Sequence, residues 1–169
     1  MSSLTLSYVI PSVILLGALA TDLRTRKIYN KWVAICIVLA IFNSFYFFGW
    51  EGLQQGALAG GLALVATVPL VLIGALGAGD MKILFAFGLA STYQGVFSVL
   101  IFSILWGGLI GIALAVLRGQ GKRLFNNTLK IILAKPRDES TYQKMPYSVA
   151  LVLGWITFIV LSFWQGGHL

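Results

Sequence analysis

Gly77-Ala78-Gly79-Asp80-Met81-Lys82 joins two long apolar runs, one that ends at Leu76 and one that begins at Ile83. A carboxylate between segments of this hydrophobicity is costly to place, so its presence indicates a specific role. The glycines that precede it carry no side chain and would let another backbone approach closely. A second carboxylate, Asp22, lies where the first apolar run of the chain stops. Asp22 and Asp80 are therefore the candidate centre of one site.

The composition is that of an integral membrane protein with a single domain, residues 1–169. Hydrophobic residues make up 59% of the 169 residues, charged residues only 10%, and the mean hydropathy is +0.91. A soluble domain carries about 25% charged residues, so this chain cannot cover itself with polar surface. The net charge of +7 is explained by loops that set membrane topology, and a nucleic-acid partner is not predicted.

Two further features narrow the class of protein. The single cysteine, Cys36, lies inside an apolar run, which argues against a disulfide framework or a cysteine-based zinc site. No lysine or arginine precedes the first apolar run, so the N-terminus does not resemble a cleaved signal peptide.

The apolar runs predict an all-α protein with about six transmembrane helices. The predicted spans are 4–20, 32–50, 56–76, a short helix from near Asp80 to about 91–95, 96–117 and 146–164. A polar link, Glu51–Gln55, is predicted between the second and third spans, after an aromatic cluster at 45–50 that is typical of a membrane interface. Small residues in the third and fifth spans predict faces where helices approach closely; they are Gly56, Gly60, Gly107, Gly108 and Gly111.

Six spans place both termini on one side of the membrane. All twelve lysines and arginines then fall on the other side, in 21–31, 77–82 and 118–145. The positive-inside rule makes that basic side cytoplasmic. Five spans would move 118–145 outside and break the pattern. The same topology puts Asp22 and Asp80 at the same, cytoplasmic, level.

Two aspartates can hydrolyse a peptide bond without a metal ion. One, ionised, takes a proton from water, and the other, protonated, donates a proton to the carbonyl oxygen. At about 5 Å and an effective dielectric constant near 20, the repulsion between them is on the order of 3 kcal/mol, or about two pK units. Spacing alone leaves another interpretation open. Asp22 would then be a boundary residue paired with Arg24 or Arg26, and Asp80 a helix cap neutralised by Lys82.

Three stretches of the sequence resemble one enzyme family. Gly77-Ala78-Gly79-Asp80 is similar to the Gly-x-Gly-Asp signature of intramembrane aspartyl proteases, and Asp80-Met81-Lys82 continues as in type IV prepilin peptidases. The stretch 22–30, an Asp followed by arginines, Ile and Asn, resembles the other motif of that family, although Tyr29 stands where proline is usual. Met145-Pro146-Tyr147-Ser148 at the start of the last span also resembles the family pattern.

The resemblance implies an aspartic endopeptidase that removes the leader of prepilins or pseudopilins at the cytoplasmic face of the bacterial inner membrane. It implies Asp22 and Asp80 as the catalytic pair, with no cofactor or metal. Gly77 and Gly79 would admit the substrate backbone, and Lys82, Arg26 and Asn30 would support binding. The sequence lacks the Cys-x-x-Cys region of the long prepilin peptidases. We therefore expect the short, peptidase-only branch that serves tight-adherence (Flp-type) pili, without methyltransferase activity.

Other hypotheses are a small proton-linked transporter or channel subunit, and a non-catalytic pilus assembly factor. A transporter would be expected to show internal repeats or carboxylates near the membrane midplane, and neither is found in this sequence. The basic segment 118–145 predicts a membrane-surface amphipathic helix. His168, Glu51, Asp138 and Glu139 lie in links or the tail and are interpreted as solvated groups. The sequence leaves the oligomeric state and the identity of the prepilin open.

Overall fold

The computed structural model describes residues 3–25, 29–74, 76–117 and 147–164, and these residues form helices and short connections with no β-strand. There are five helices in this part of the chain. They are α1 (Ser3–Thr25), α2 (Asn30–Leu72), α3 (Ala78–Leu89), α4 (Tyr93–Leu117) and α5 (Tyr147–Trp164). The predicted all-α class is confirmed. The predicted surface helix in 118–145, together with Arg26 and His168, lies outside the described residues.

Helix α2 consists of two helical halves, 30–48 and 50–72, that meet at Gly49. This residue has φ 63° and ψ −149°, a conformation that is strained for any residue with a side chain. The prediction of a link at Glu51–Gln55 was wrong, because these residues are helical and the chain turns just before them. Glycine tolerates positive φ, so the reversal occurs at Gly49. The polar residues that follow it, Glu51, Gln54 and Gln55, are exposed on the first turns of the second half.

The two halves of α2 run in opposite directions, as the contacts of α3 show. Lys82 contacts Asn30 and Leu89 contacts Ser44, so α3 runs parallel to the first half. Leu89 also lies against Gly56, and Phe85 lies against Gly60, so α3 runs antiparallel to the second half. The turn at Gly49 therefore sends the chain back along the bundle.

Among the described residues, four helices are long and apolar enough to cross a membrane, by length and composition. They cover Tyr8–Thr25, Asn30–Leu72, Tyr93–Leu114 and Tyr147–Trp164. Because α2 doubles back at Gly49, it supplies two of the predicted passes. Helix α3 has 12 residues, or about 18 Å, which is short of the roughly 30 Å of bilayer hydrocarbon. The count of six spans stays a prediction.

The short helix α3 lies at the centre of the bundle. Ile83, Leu84, Ala86 and Phe87 are fully buried, and the Phe87 ring packs edge-on against Trp155 of α5 with ring centroids 5.0 Å apart. Large side chains on the outward faces of α2, α4 and α5 are exposed instead. Such an extended apolar surface is not typical of a soluble protein, and it suits a bundle whose outer surface meets lipid.

Glycines let α3 approach α2. A Cβ added to Gly88 would lie 2.7 Å from Cα of Gly60, and one added to Gly56 would lie 2.5 Å from the carbonyl oxygen of Leu89. The predicted packing role of Gly56 and Gly60 is confirmed. The same prediction for α4 is not confirmed at two positions. Among the described residues, no atom comes within 4 Å of a Cβ built on Gly108 or Gly111.

Candidate active site

Asp22 lies in the last turn of α1, three residues before the helix ends at Thr25. Its side chain is half-buried. The hydroxyl of Ser148, on the first turn of α5, donates a 2.6 Å hydrogen bond to Oδ2 of Asp22. A residue 126 positions away in the sequence therefore holds one carboxylate oxygen of Asp22.

Asp80 is the third residue of α3 and follows Gly77, the residue that caps this helix. The backbone N–H of Gly77 hydrogen-bonds back to the Asp80 carboxylate, as an acidic residue at this position of a first turn commonly arranges. A Cβ on Gly77 would lie only 2.9 Å from Oδ2 of Asp80. The glycine thus leaves room for the carboxylate as well as supplying its hydrogen bond.

The structure brings Asp22 and Asp80 together at one end of the bundle, which we call the site end. Asp80 lies in the first turn of α3, outside the four candidate spans. Burial, and after it the negative charge of Asp22, raises the pKa of Asp80 from 3.8 to about 6, against the opposing effect of the Gly77 hydrogen bond. A carboxyl group whose pKa is raised in this way keeps its proton to a higher pH than a free aspartic acid does.

Lys82 and Asn30 also meet at the site end. The Lys82 ammonium donates a 2.9 Å hydrogen bond to Oδ1 of Asn30, and both side chains are exposed. The residue that caps α3 is Gly77 and not Asp80, and Lys82 bonds to Asn30 at the start of α2. The alternative interpretation of Asp80 as a helix cap neutralised by Lys82 is therefore wrong. Gly79 is half-buried within the first turn of α3. Whether these residues bind substrate stays a prediction.

Two residues at the site end were missing from the sequence-based site. One is Ser148, the partner of Asp22. The other is Tyr147, whose hydroxyl is 2.7 Å from the hydroxyl of buried Ser103 on α4 and which lies within electrostatic reach of Asp80. The motif at 145–148 pointed to this stretch. It did not indicate which side chains face the carboxylates, since that depends on how α5 packs.

The described residues do not assemble a metal site. Within 3–25, 29–74, 76–117 and 147–164, no three histidines, cysteines or acidic residues group as a metal ion would require. The described site holds a pair of carboxyl groups, with the hydroxyl of Ser148 bonded to Asp22 and Tyr147 near Asp80.

Comparison with known proteins adds one result. The sequence model of the type IV leader peptidase family matches residues 9–112, which is more than half of the chain. The chain belongs to this family. No curated protein and no solved structure matches the chain. The matched range contains Asp22, the Gly-x-Gly-Asp stretch and Lys82, whereas α5 with Tyr147 and Ser148 lies beyond it.

Proposed function

We propose that this protein is an aspartic endopeptidase that removes the leader from prepilins or pseudopilins. The observation that carries the proposal is the pairing of Asp22 and Asp80 at the ends of two different helices, close enough for the charge of one to act on the other. Membership of the type IV leader peptidase family supports the substrate class.

In the proposed reaction, the two carboxyl groups share one proton. The ionised aspartate accepts a proton from water, and the resulting hydroxide adds to the scissile carbonyl carbon. The protonated aspartate donates its proton to the carbonyl oxygen. Collapse of the tetrahedral intermediate breaks the C–N bond. The leaving nitrogen takes the proton that the first aspartate had accepted, and a hydroxyl of the intermediate returns a proton to the second aspartate as the C=O bond re-forms. No metal or cofactor enters these steps.

The proposal includes a location and a topology. We place the site end on the cytoplasmic side of the bacterial inner membrane, with six spans and both termini on the opposite side, because every basic residue then lies on the side of Asp22 and Asp80. A reporter fused in 118–145 should read as cytoplasmic, and one fused after Leu169 as external. A cytoplasmic C-terminus would contradict this topology.

The finer substrate assignment is the short, Flp-type branch, without methyltransferase activity. The test is co-expression of the full chain with an Flp-type prepilin or with a longer type IV prepilin, followed by mass spectrometry of the pilin N-terminus. We expect leader removal and an unmethylated mature N-terminus. Intact prepilin in every pairing would contradict the proposed activity, and cleavage of the longer prepilin alone would contradict the branch.

A further inference from the structure

Ser148 is one of the least exposed polar residues of the described chain, with 1% of its surface accessible. It occupies the second position of α5, and its hydroxyl donates to Oδ2 of Asp22 at 2.6 Å. A hydroxyl-to-carboxylate bond of this length is charge-assisted and stronger than a bond between neutral groups. Because Ser148 is buried, water could not freely take its place as the donor to Asp22 if the hydroxyl were removed.

The position of Ser148 is set by how α5 packs on α1. About two turns further along α5, the indole N–H of Trp155 donates a 2.8 Å hydrogen bond to the hydroxyl of Ser12 on α1. The Trp155 ring also contacts Tyr8 of α1 and Phe87 of α3. These contacts lock α5 beside α1, so the Ser148 hydroxyl meets Asp22 in a fixed geometry.

The two carboxylates therefore have different surroundings. Asp22 accepts a side-chain O–H from a neighbouring helix, whereas Asp80 is bonded by the backbone N–H at the start of its own helix. A hydrogen bond donated to a carboxylate stabilises its ionised form. The bond from Ser148 also restricts the orientation of the Asp22 carboxylate, because the donor is a buried side chain on a neighbouring helix.

We propose that Ser148 is a positioning residue that orients the Asp22 carboxylate, so that Asp22 is the general base and Asp80 the general acid. The inference rests on the proposed peptidase function and adds to it a division of labour between the aspartates. The raised pKa of Asp80 agrees with its role as the proton donor, because a carboxyl group must hold its proton to donate it.

Other groups at the site end act on the same pair and must be held constant. Within the described part of the chain, the titratable or charged groups there are Arg24 on α1 itself, Tyr29 and Lys31 at the start of α2, Asp80 and Lys82 on α3, and Tyr147 on α5. Substitution of Ser148 changes none of their charges, so a shift in the pH profile would report on Asp22.

The test is the pH dependence of prepilin cleavage by the full chain in lipid vesicles, expressed per inserted molecule. Ser148→Ala should lower kcat by about 10- to 100-fold and move the acidic limb of the profile to higher pH, because the base is protonated more easily. Ser148→Thr keeps a hydroxyl and should retain the wild-type limb. Ser162→Ala is the matched control, since Ser162 is a buried serine on α5 whose hydroxyl donates to the carbonyl of Phe158 in its own helix.

Each outcome decides the matter. A Ser148→Ala variant with the wild-type rate and acidic limb would overturn the inference while leaving the peptidase function intact. A slower variant with an unchanged acidic limb would also overturn it, because Ser148 would then be structural. If wild-type protein leaves the prepilin intact, the proposed function fails, and this inference fails with it.

Discussion

Helix α3 has two ends that both depend on glycine but differ in what the glycine does. At the site end, Gly77 leaves space for the Asp80 carboxylate and donates a backbone hydrogen bond to it. At the other end, which we call the packing end, Gly88 meets the backbone of Gly60, and Leu89 lies against Gly56. The glycine at the site end makes room for a carboxylate, whereas the glycines at the packing end let two helices come into close contact. A missing side chain can thus serve chemistry or packing, and the neighbouring atoms tell which.

Of the changes that test the chemical role of the site end, substitution of either aspartate should have the largest effect on cleavage. Asp22→Asn or Asp80→Asn should each reduce prepilin cleavage by about 10²- to 10⁴-fold, because a carboxamide cannot take part in the acid–base exchange. Residues that act as one unit are non-additive, so the double variant should be no slower than the worse single variant. The measurement is leader removal per inserted molecule.

Glu51→Gln is the control for the aspartate variants. Glu51 is an exposed carboxylate at the start of the second half of α2, next to the turn at Gly49, and its variant should cleave at the wild-type rate. Near-normal cleavage by either aspartate variant would rule out the paired-carboxylate mechanism.

The next effect concerns the packing end. Gly88→Val should reduce the amount of folded, inserted protein, because even its Cβ would come within 2.7 Å of the Gly60 backbone and neither helix can move aside cheaply. We expect a loss on the order of 1–3 kcal/mol or more in unfolding free energy. Gly61→Val is the control, since no described atom lies within 4 Å of its added Cβ. Equal thermal stability of the two variants in detergent would contradict the packing role.

At the site end we expect a smaller effect, and one on specific activity instead of on the amount of folded protein. Gly77→Ala should lower specific activity by about tenfold while the inserted amount stays near normal, because the new methyl group would crowd Oδ2 of Asp80 at 2.9 Å and displace it. Gly79→Val extends the test to the predicted approach of the substrate backbone. Full specific activity of both variants would show that these glycines only shape a turn.

The mildest probe is pH, which should act on the site end and spare the packing end. If Asp80 is the acid, it must be protonated, and its pKa is raised to about 6. Activity should therefore be retained below pH 6 until the partner aspartate is protonated, and should fall about tenfold per pH unit above 6. The check is a pH–rate profile beside the inserted, folded fraction, which should not follow the same curve. An activity that rises steadily from pH 6 to pH 8 would contradict this assignment of the acid.

The sequence by itself determined the class of the protein, because composition and run length depend only on which residues are present. A chain with 10% charged residues and apolar runs of this length has few alternatives to a helical membrane bundle. Asp22 and Asp80 could also be singled out from the sequence, because carboxylates are rare and costly at the ends of such apolar runs. The packing role of Gly56 and Gly60 followed from their spacing.

The tertiary structure decided which atoms meet. The turn at Gly49 replaced the predicted link at Glu51–Gln55, because backbone conformation and not polarity sets where a helix can reverse. Gly108 and Gly111 have no side chain to keep a neighbour away, but no described helix packs against them. Ser148 reaches Asp22 only because α5 is held against α1 by Trp155 and Ser12. Contacts between residues 126 positions apart depend on how helices pack, and local residue pattern carries no record of that packing.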